Sequence, residues 1–401
     1  MDRPTGGKER DMAGVRLLTA GESHGPALVG ILEGIPAGLP LNEEAILRDL
    51  ARRQRGPGAG ARMTLERDTA RILSGVMAGR TTGGPIALLI ENRDHTNWRG
   101  RPIPAMTIPR PGHADLAGAL KYGHDDFRLV LERASARETA IRVAAGAICR
   151  LFLEGLGIRI GGYVAAIGPV TANLAALSFE QRLEKAALQP TGCPDVTAAA
   201  EMEAAIRQAA EAGETLGGII EAVALGVPPG LGSFVQGDRR LDARLGAAVL
   251  SIPAVKGVEI GPAFQNSRLP GTKVHDPIQL QDGRIVRPSA RSGGIEGGVS
   301  TGQPIWIRAA LKPIPTTMTP QASVDMTAGG SAQTRYERSD VCPVPRAVVV
   351  IEAALALVLA DALLEKTGGD SLAEVTARWA ALPKGRLEEY HLTGRPQVFW
   401  P

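Results

Sequence analysis

Two stretches decide the architecture: GESHGPALVGILEGIPAGL at residues 21–39 and GETLGGIIEAVALGVPPGL at residues 213–231. They align without a gap. Gly21/Gly213, Glu22/Glu214, Gly25/Gly217, Gly34/Gly226, Pro36/Pro228 and Gly38/Gly230 all coincide at one offset of 192 residues. A second ungapped pair, SGVMAGRTTGGPIALLI from Ser74 and GGIEGGVSTGQPIWIRA from Gly293, repeats at an offset of 219. Self-similarity on this scale marks one supersecondary unit used twice. After each second segment come an Arg-containing turn and a long apolar helical stretch, at 138–155 and 344–366.

The unit reads as strand, glycine loop, strand, helix, strand, long helix. The fold class is therefore mixed α/β (α+β), a pseudo-symmetric duplicated unit. Short apolar runs bounded by Gly or Pro, at 15–19, 86–90 and 305–311, predict strands. Ala-rich stretches with helical apolar spacing, at 139–153 and 198–212, predict helices. We expect a single domain over 15–401, with internal repeats at about 15–160 and 205–366 and a linker at 168–194. Residues 1–14 are polar, lack the apolar segment of a secretory signal, and are expected to form a loose extension.

Composition narrows the function. The 401 residues carry 45 Lys+Arg against 42 Asp+Glu, a net charge of +3, with 44% hydrophobic and 3% aromatic residues. So small an excess of charge and so few aromatic rings argue against nucleic acid as a partner. Arginine outnumbers lysine 37 to 8, and its planar fork binds carboxylate and phosphate bidentately. Cys149, Cys193 and Cys342 are odd in number and far apart, which points to reduced thiols in a cytoplasm and to neither disulfide nor metal site. The most membrane-like run, 347–364, is interrupted by Glu352 and Asp361 and reads as a buried core helix, so no membrane partner is expected.

The repeat doubles as an internal control, because scaffold residues tend to recur in both copies and chemical ones need not. His24 becomes Leu216 while the flanking glycines stay, which tilts His24 towards chemistry. Residues 21–25, GESHG, also fit the G-x-S-x-G elbow of serine hydrolases with Ser23 as nucleophile, but the sequel reads as a strand where that elbow needs a helix. GPGAG at 56–60 follows an Arg-rich segment instead of a strand, so it is a poor dinucleotide loop, and no Walker pattern is present. The densest constellation is RPGHADLAGALKYGHDDFRLVLERASARETAIR at 110–142. It ends in an S-x-x-E capping box, Ser135 to Glu138, where a helix N-terminus beside Arg133 and Arg137 would receive a phosphate or carboxylate. A third cluster, RSDVCPVPRA at 338–347, sets Asp340 between Arg338 and Arg346.

Together with ARRQRGPG at Ala51, RTTGGPIAL at Arg80, VPPGLGSF at Val227, KGVEIG at Lys256, KPIPT at Lys312 and QTRYERSDVCPVPRA at Gln333, these segments resemble the chorismate synthase family from Val15 to about Gly369. The resemblance implies long helices sandwiched between antiparallel sheets, a homotetramer, and elimination of phosphate from 5-enolpyruvylshikimate 3-phosphate with bound reduced FMN (FMNH2), NADPH being a candidate reductant. It implies catalytic roles for His24, at the departing phosphate, and for His113 and Asp340, beside the flavin. Substrate contacts carry over to Ser23, Arg53, Arg62, Arg110, Arg137 and Arg338. Flavin contacts carry over to Arg133, Ala134 and Ser135, to Pro253 and Ala254, to Gly297, to Lys312, Pro313, Ile314, Pro315 and Thr316, and to Arg338. Ala59 departs from the family pattern by standing where an arginine is usual, and His95 and His124 match no functional position. The other readings are a serine hydrolase using Ser23 and a non-catalytic flavin-binding relative.

Overall fold

The computed structural model describes residues 14–59, 67–337 and 339–400. Among them the first half forms β1 (Arg16–Ala20), β2 (Ala27–Glu33), α1 (Glu43–Arg53), β3 (Ala70–Ile72), the hairpin β4 (Val76–Met77) with β5 (Arg80–Thr81), and β6 (Ile86–Glu91). Then come α2 (His95–Trp98), α3 (Asp115–Tyr122), α4 (Phe127–Ala134) and the long α5 (Thr139–Glu154). The second half begins with β7 (Arg159–Ile167), β8 (Val170–Thr171), α6 (Phe179–Ala187), α7 (Val196–Glu211), β9 (Gly218–Leu225), β10 (Pro229–Gly232), α8 (Leu241–Leu250) and β11 (Val255–Ile260). It continues through hairpin β12 (Gln279–Gln281) and β13 (Arg284–Val286), β14 (Ile295–Glu296), β15 (Val299–Thr301), β16 (Ile305–Leu311), and hairpin β17 (Ala322–Asp325) and β18 (Gly330–Gln333). Helices α9 (Val344–Thr367) and α10 (Leu372–Ala380) follow.

The duplication is visible in the sheets. The first has strand order β1-β2-β6-β3 and the second β11-β16-β9-β7-β8, with every neighbouring pair antiparallel. Replacing β1, β2, β6 and β3 by β7, β9, β16 and β11 converts one order into the other. The glycine loops are equally alike. Gly34 and Gly226 both have positive φ, 85° and 77°, and a Cβ on either would meet a backbone oxygen, of Gly14 at 2.4 Å and of Gly157 at 2.5 Å. Only glycine fits such a turn against a neighbouring strand entry.

Because β7 is the counterpart of β1, the second structural unit starts near residue 159, ahead of the self-similar sequence. The segment 168–194 is accordingly not a bare linker. It carries β8 and α6, and α6 starts at a Ser178–Gln181 capping box and lays Phe179, Leu183 and Ala186 on the outer face of the second sheet, with Tyr163, Val223 and Trp306.

Helix α5 lies on the first sheet and α9 on the second, and the two helices pack on each other, giving sheet, helix, helix, sheet. Their crossing is tight at Gly146, where a Cβ would come within 2.3 Å of Ala353 Cβ. The apolar helix α9 keeps its charges by pairing them. Glu352, 2% exposed, accepts from Arg52 Nη1 and Nη2 at 2.6 Å each, with Arg150 at 3.6 Å. Asp361 accepts from Val15 N at 2.8 Å and pairs with Arg244. Length and hydropathy alone would let α9 cross a membrane, but most of it is enclosed in the core between α5 and the second sheet.

Candidate active site

One cavity of about 680 Å³ opens where loops from both halves meet. The β1–β2 loop contributes Ser23 and His24, the end of α1 contributes Arg53, and the turn before α3 contributes Arg110 and His113. The α4–α5 junction adds Ala134, Ser135 and Arg137. From the second half come Pro253 and Ala254 before β11, then Lys312, Ile314, Pro315 and Thr316 after β16, and Asp340 before α9. Asp94, Trp98, Tyr336 and Glu337 also stand in the wall.

Each arginine is aimed by a carboxylate. Arg110 donates to Asp115 from Nε at 2.8 Å and Nη2 at 3.0 Å, and from Nη1 to Thr316 Oγ1 at 3.3 Å. Asp68, 2% exposed, accepts from Arg53 Nη1 at 3.1 Å and from Arg137 Nη1, while Arg137 Nε donates to Asn92 Oδ1 at 2.8 Å. Burial lowers the Arg53 pKa to about 10, with Arg137 and Arg346 adding to the effect against Asp68 and Asp340. Arg53 still stays charged at neutral pH.

The two histidines are held by the same device. His113 Nδ1 lies on Asp115 Oδ1 and 3.0 Å from Arg110 Nη2. A guanidinium only donates, so the closer carboxylate assigns the proton to Nδ1. Burial alone would raise the Asp115 carboxyl, but hydrogen bonds from His113 and Arg110 hold it well below the usual carboxylate range. His24 Nδ1 contacts Glu132 Oε1 at 2.7 Å, and Glu132 too is held below its ordinary value, hydrogen bonds from His24 outweighing burial.

The second-half wall is also anchored. Asp340 Oδ2 sits 2.6 Å from Arg346 Nη2, which reaches Cys342 O at 3.1 Å as well. Lys312 contacts Gly112 O, and burial, aided by Lys256, lowers its pKa. Ala254 adopts a left-handed φ of 71° without being glycine, and its carbonyl accepts from Lys312 N at 2.9 Å. Such strain clusters where a backbone must present a defined edge.

Residues 15–364 match the family described as Chorismate synthase. The chorismate synthase of Trichlorobacter lovleyi is 52% identical over 378 residues, covering 90% of this chain and 96% of the relative. That of Chlorobaculum tepidum is 52% identical over 394 residues, covering 94% and 97%. A crystal structure of chorismate synthase is 45% identical with a TM-score of 0.77, covering 92% of this chain and 97% of that one. The chain belongs to the chorismate synthase family.

Most positions carried over from chorismate synthases thus meet at one cavity, though not all of them do. Arg62 and Arg338 lie outside the described residues. Arg133 is exposed and turns to Thr19, donating to its carbonyl at 3.0 Å and its hydroxyl at 2.8 Å. Pro313 and Gly297 are not in the lining, and Gly297 occupies the β14–β15 turn with φ 59°, the counterpart of Ala78 at 48° in β4–β5. The serine hydrolase reading finds no support among the relatives. Strand β2 follows Ser23, whose hydroxyl accepts from Ser135 Oγ at 3.1 Å.

The capping box at Ser135 is not formed. Ser135 Oγ accepts from Arg137 N at 3.3 Å in a single 3₁₀ turn, and Glu138 instead accepts from Thr19 Oγ1 at 2.8 Å and Arg142 Nε at 2.9 Å. The described lining is also less one-sided than the arginine count implies, since Arg53, Arg110, Arg137 and Lys312 face Asp94, Glu337 and Asp340. Asp68, Asp94, Trp98, Asp115 and Glu132 were not expected from the sequence. Asp115 and Glu132 lie inside the constellation at 110–142, where H-x-D and E-R-A-S spacing could have flagged them. His95, which matched no family position, contacts His24 O through Nδ1 at 2.9 Å, and His124 is exposed beside Tyr122.

Proposed function

We propose that the protein catalyses the anti 1,4-elimination that converts 5-enolpyruvylshikimate 3-phosphate into chorismate and inorganic phosphate, with reduced FMN bound. The observation that carries this reading is the convergence of His24, His113 and Asp340 with three buried arginines on one cavity. The substrate brings a phosphate and two carboxylates, which call for arginine forks. The residues present also fit a flavin beside it. The cavity, about 680 Å³, falls within the usual range for organic ligands, and Ala254, with its left-handed φ, is tied through its carbonyl to Lys312 N at 2.9 Å, so Pro253, Ala254 and Lys312 line one edge of it.

Reduced flavin, when bound, supplies electron density to the departing phosphate without net oxidation or reduction. Ala134, Ser135, Pro253, Ala254, Lys312, Ile314, Pro315 and Thr316 would hold it. Arg53, Arg110 and Arg137 neutralise and orient the substrate anions, each already aimed by Asp68 or Asp115. His24, when protonated, donates from Nε2 to the leaving phosphate. Asp340, braced by Arg346, would serve as the proton acceptor beside the flavin, and His113 presents Nε2 because Asp115 holds Nδ1. Buried thiols at Cys149, Cys193 and Cys342 agree with a cytoplasmic location, and we propose a homotetramer, as in the family. The test is anaerobic phosphate release from the substrate with dithionite-reduced FMN. Release that depends on the flavin supports the reading, and equal release without it overturns it; NADPH with oxidised FMN then tells whether the protein reduces its own flavin.

A further inference from the structure

We propose that Glu132 is the positioning residue of His24: its carboxylate clamps both the ring and the backbone of that histidine and so decides which ring nitrogen works in the cavity.

The clamp uses both oxygens of one side chain. Oε1 meets His24 Nδ1 at 2.7 Å and Oε2 accepts from His24 N at 2.7 Å, while the Glu132 carbonyl accepts from Ser23 N at 2.9 Å. The C-terminal turn of α4 therefore grips two consecutive residues of the β1–β2 loop. The His24 ring is closed on a face by Trp98, centroids 4.0 Å apart, and the Arg128 guanidinium lies 5.4 Å from the same indole. His24 lines the cavity and Glu132 does not. With Nδ1 turned to Glu132, Nε2 lies on the wall shared with Asp94, whose Oδ2 is 4.0 Å away. Among the described residues, the charged or titratable groups facing this histidine include Glu132 from α4, Asp94 ahead of α2 and His95 on α2, with Arg128 beyond Trp98.

Hydrogen-bond chemistry makes the assignment specific. An ionised carboxylate only accepts, so neutral His24 must carry its proton on Nδ1 and offer Nε2 to the cavity. In Glu132→Gln the backbone N–H of His24, a donor only, draws the amide oxygen. The amide NH2 then faces Nδ1, forces it to accept, and moves the proton to Nε2. A near-isosteric change thus reverses the tautomer without emptying the site.

The proposal rests on the elimination reading for its catalytic consequence but not for its structural one. In ¹⁵N-histidine-labelled protein at a pH where the imidazole is neutral, the ¹⁵N shifts should report Nδ1–H for His24 in the wild type and Nε2–H in Glu132→Gln. The protonated ring that donates from Nε2 also carries Nδ1–H, which needs an acceptor that the amide NH2 cannot supply, so Glu132→Gln should lose about 10–100-fold in kcat with KM changed less than about 3-fold, and Glu132→Asp, which keeps the charge, should regain part of the loss. The Nε2–H tautomer in the wild type, or a Glu132→Gln kcat within about twofold of wild type, would overturn the clamp. Should Glu132→Gln not fold, the wild-type tautomer and Glu132→Asp still decide. A wild type that releases no phosphate sinks the proposed reaction instead, leaving the tautomer measurement to judge Glu132.

Discussion

Arg110 and Asp115 pair fork to fork, Nε on Oδ2 at 2.8 Å and Nη2 on Oδ1 at 3.0 Å, and the carboxylate that receives them has no exposed surface. Asp115 is the common support of Arg110 and of His113, so it couples stability to the geometry of the cavity. Asp115→Ala leaves Arg110 buried without its counter-charge, for which about 3 kcal/mol of stability is expected to be lost in urea unfolding.

The same residue sets an acid response. The folded-state Asp115 carboxyl is held below its unfolded value, so the stabilisation is fully present above about pH 4 and fades as pH falls towards the folded value. Unfolding free energies measured from about pH 5 down to about pH 2.5 should fall less steeply in Asp115→Asn than in the wild type. Parallel curves would show that Asp115 contributes no linkage.

Helix α9 owes its burial to paired charges. Glu352→Ala removes the acceptor of Arg52 and the neighbour of Arg150 in a core site. Arg52 keeps over a third of its side chain in contact with water, so the cost belongs at the low end of buried-pair losses, about 2–3 kcal/mol. Chemical denaturation measures it, and kcat per folded molecule should stay within about twofold because Glu352 is not in the cavity lining.

Gly146 lets α5 and α9 touch. Gly146→Ala gains roughly 1 kcal/mol of helix propensity but drives a methyl to 2.3 Å from Ala353 Cβ and 2.6 Å from its Cα. Overpacking costs of about 1–3 kcal/mol should win, giving a net loss on the order of 1 kcal/mol. Adding Ala353→Gly should recover only part of it, because the α9 backbone at that position still stands in the way of the new methyl. Full recovery in the double mutant would contradict the close helix crossing.

The sequence showed the scaffold more clearly than the site's supports. Duplicated glycine turns were legible because their spacing and residue type record backbone geometry directly, and β16 matches its expected bounds. The unit boundary was not legible, since β7 retains too little of β1's residue pattern. Residues 168–194 resemble a linker because Gly and Pro frame them, although Ser178 and Gln181 bear a capping signal. Ser135 and Glu138 bear the same signal without forming the box, because Thr19 and Arg142 draw the glutamate away. Family motifs named His24, His113 and Asp340, but Asp68 and Asp94 stand in stretches with no chemical pattern. Only the folded chain brings Asp68 beneath Arg53 and Arg137.

Asp340 offers the last test, through its brace. Arg346, 5% exposed, spans from Asp340 to the Cys342 carbonyl and lies 3.4 Å from the Gly58 carbonyl, so one guanidinium ties the turn carrying Asp340 to the loop after α1. All three contacts use Nη2, at the far end of the guanidinium, and lysine keeps the charge but is one bond too short to place its ammonium there. Arg346→Lys should therefore lower kcat about 10-fold while KM for the phosphorylated substrate moves less than about 3-fold, because Asp340 is displaced and Arg53, Arg110 and Arg137 are not. Arg346→Met, which removes the charge beside Asp340 altogether, should be slower still, by about 100-fold. Steady-state kinetics under anaerobic conditions with reduced flavin distinguish these outcomes. A loss expressed mainly in KM would make Arg346 a support of Arg53, Arg110 and Arg137 rather than of Asp340.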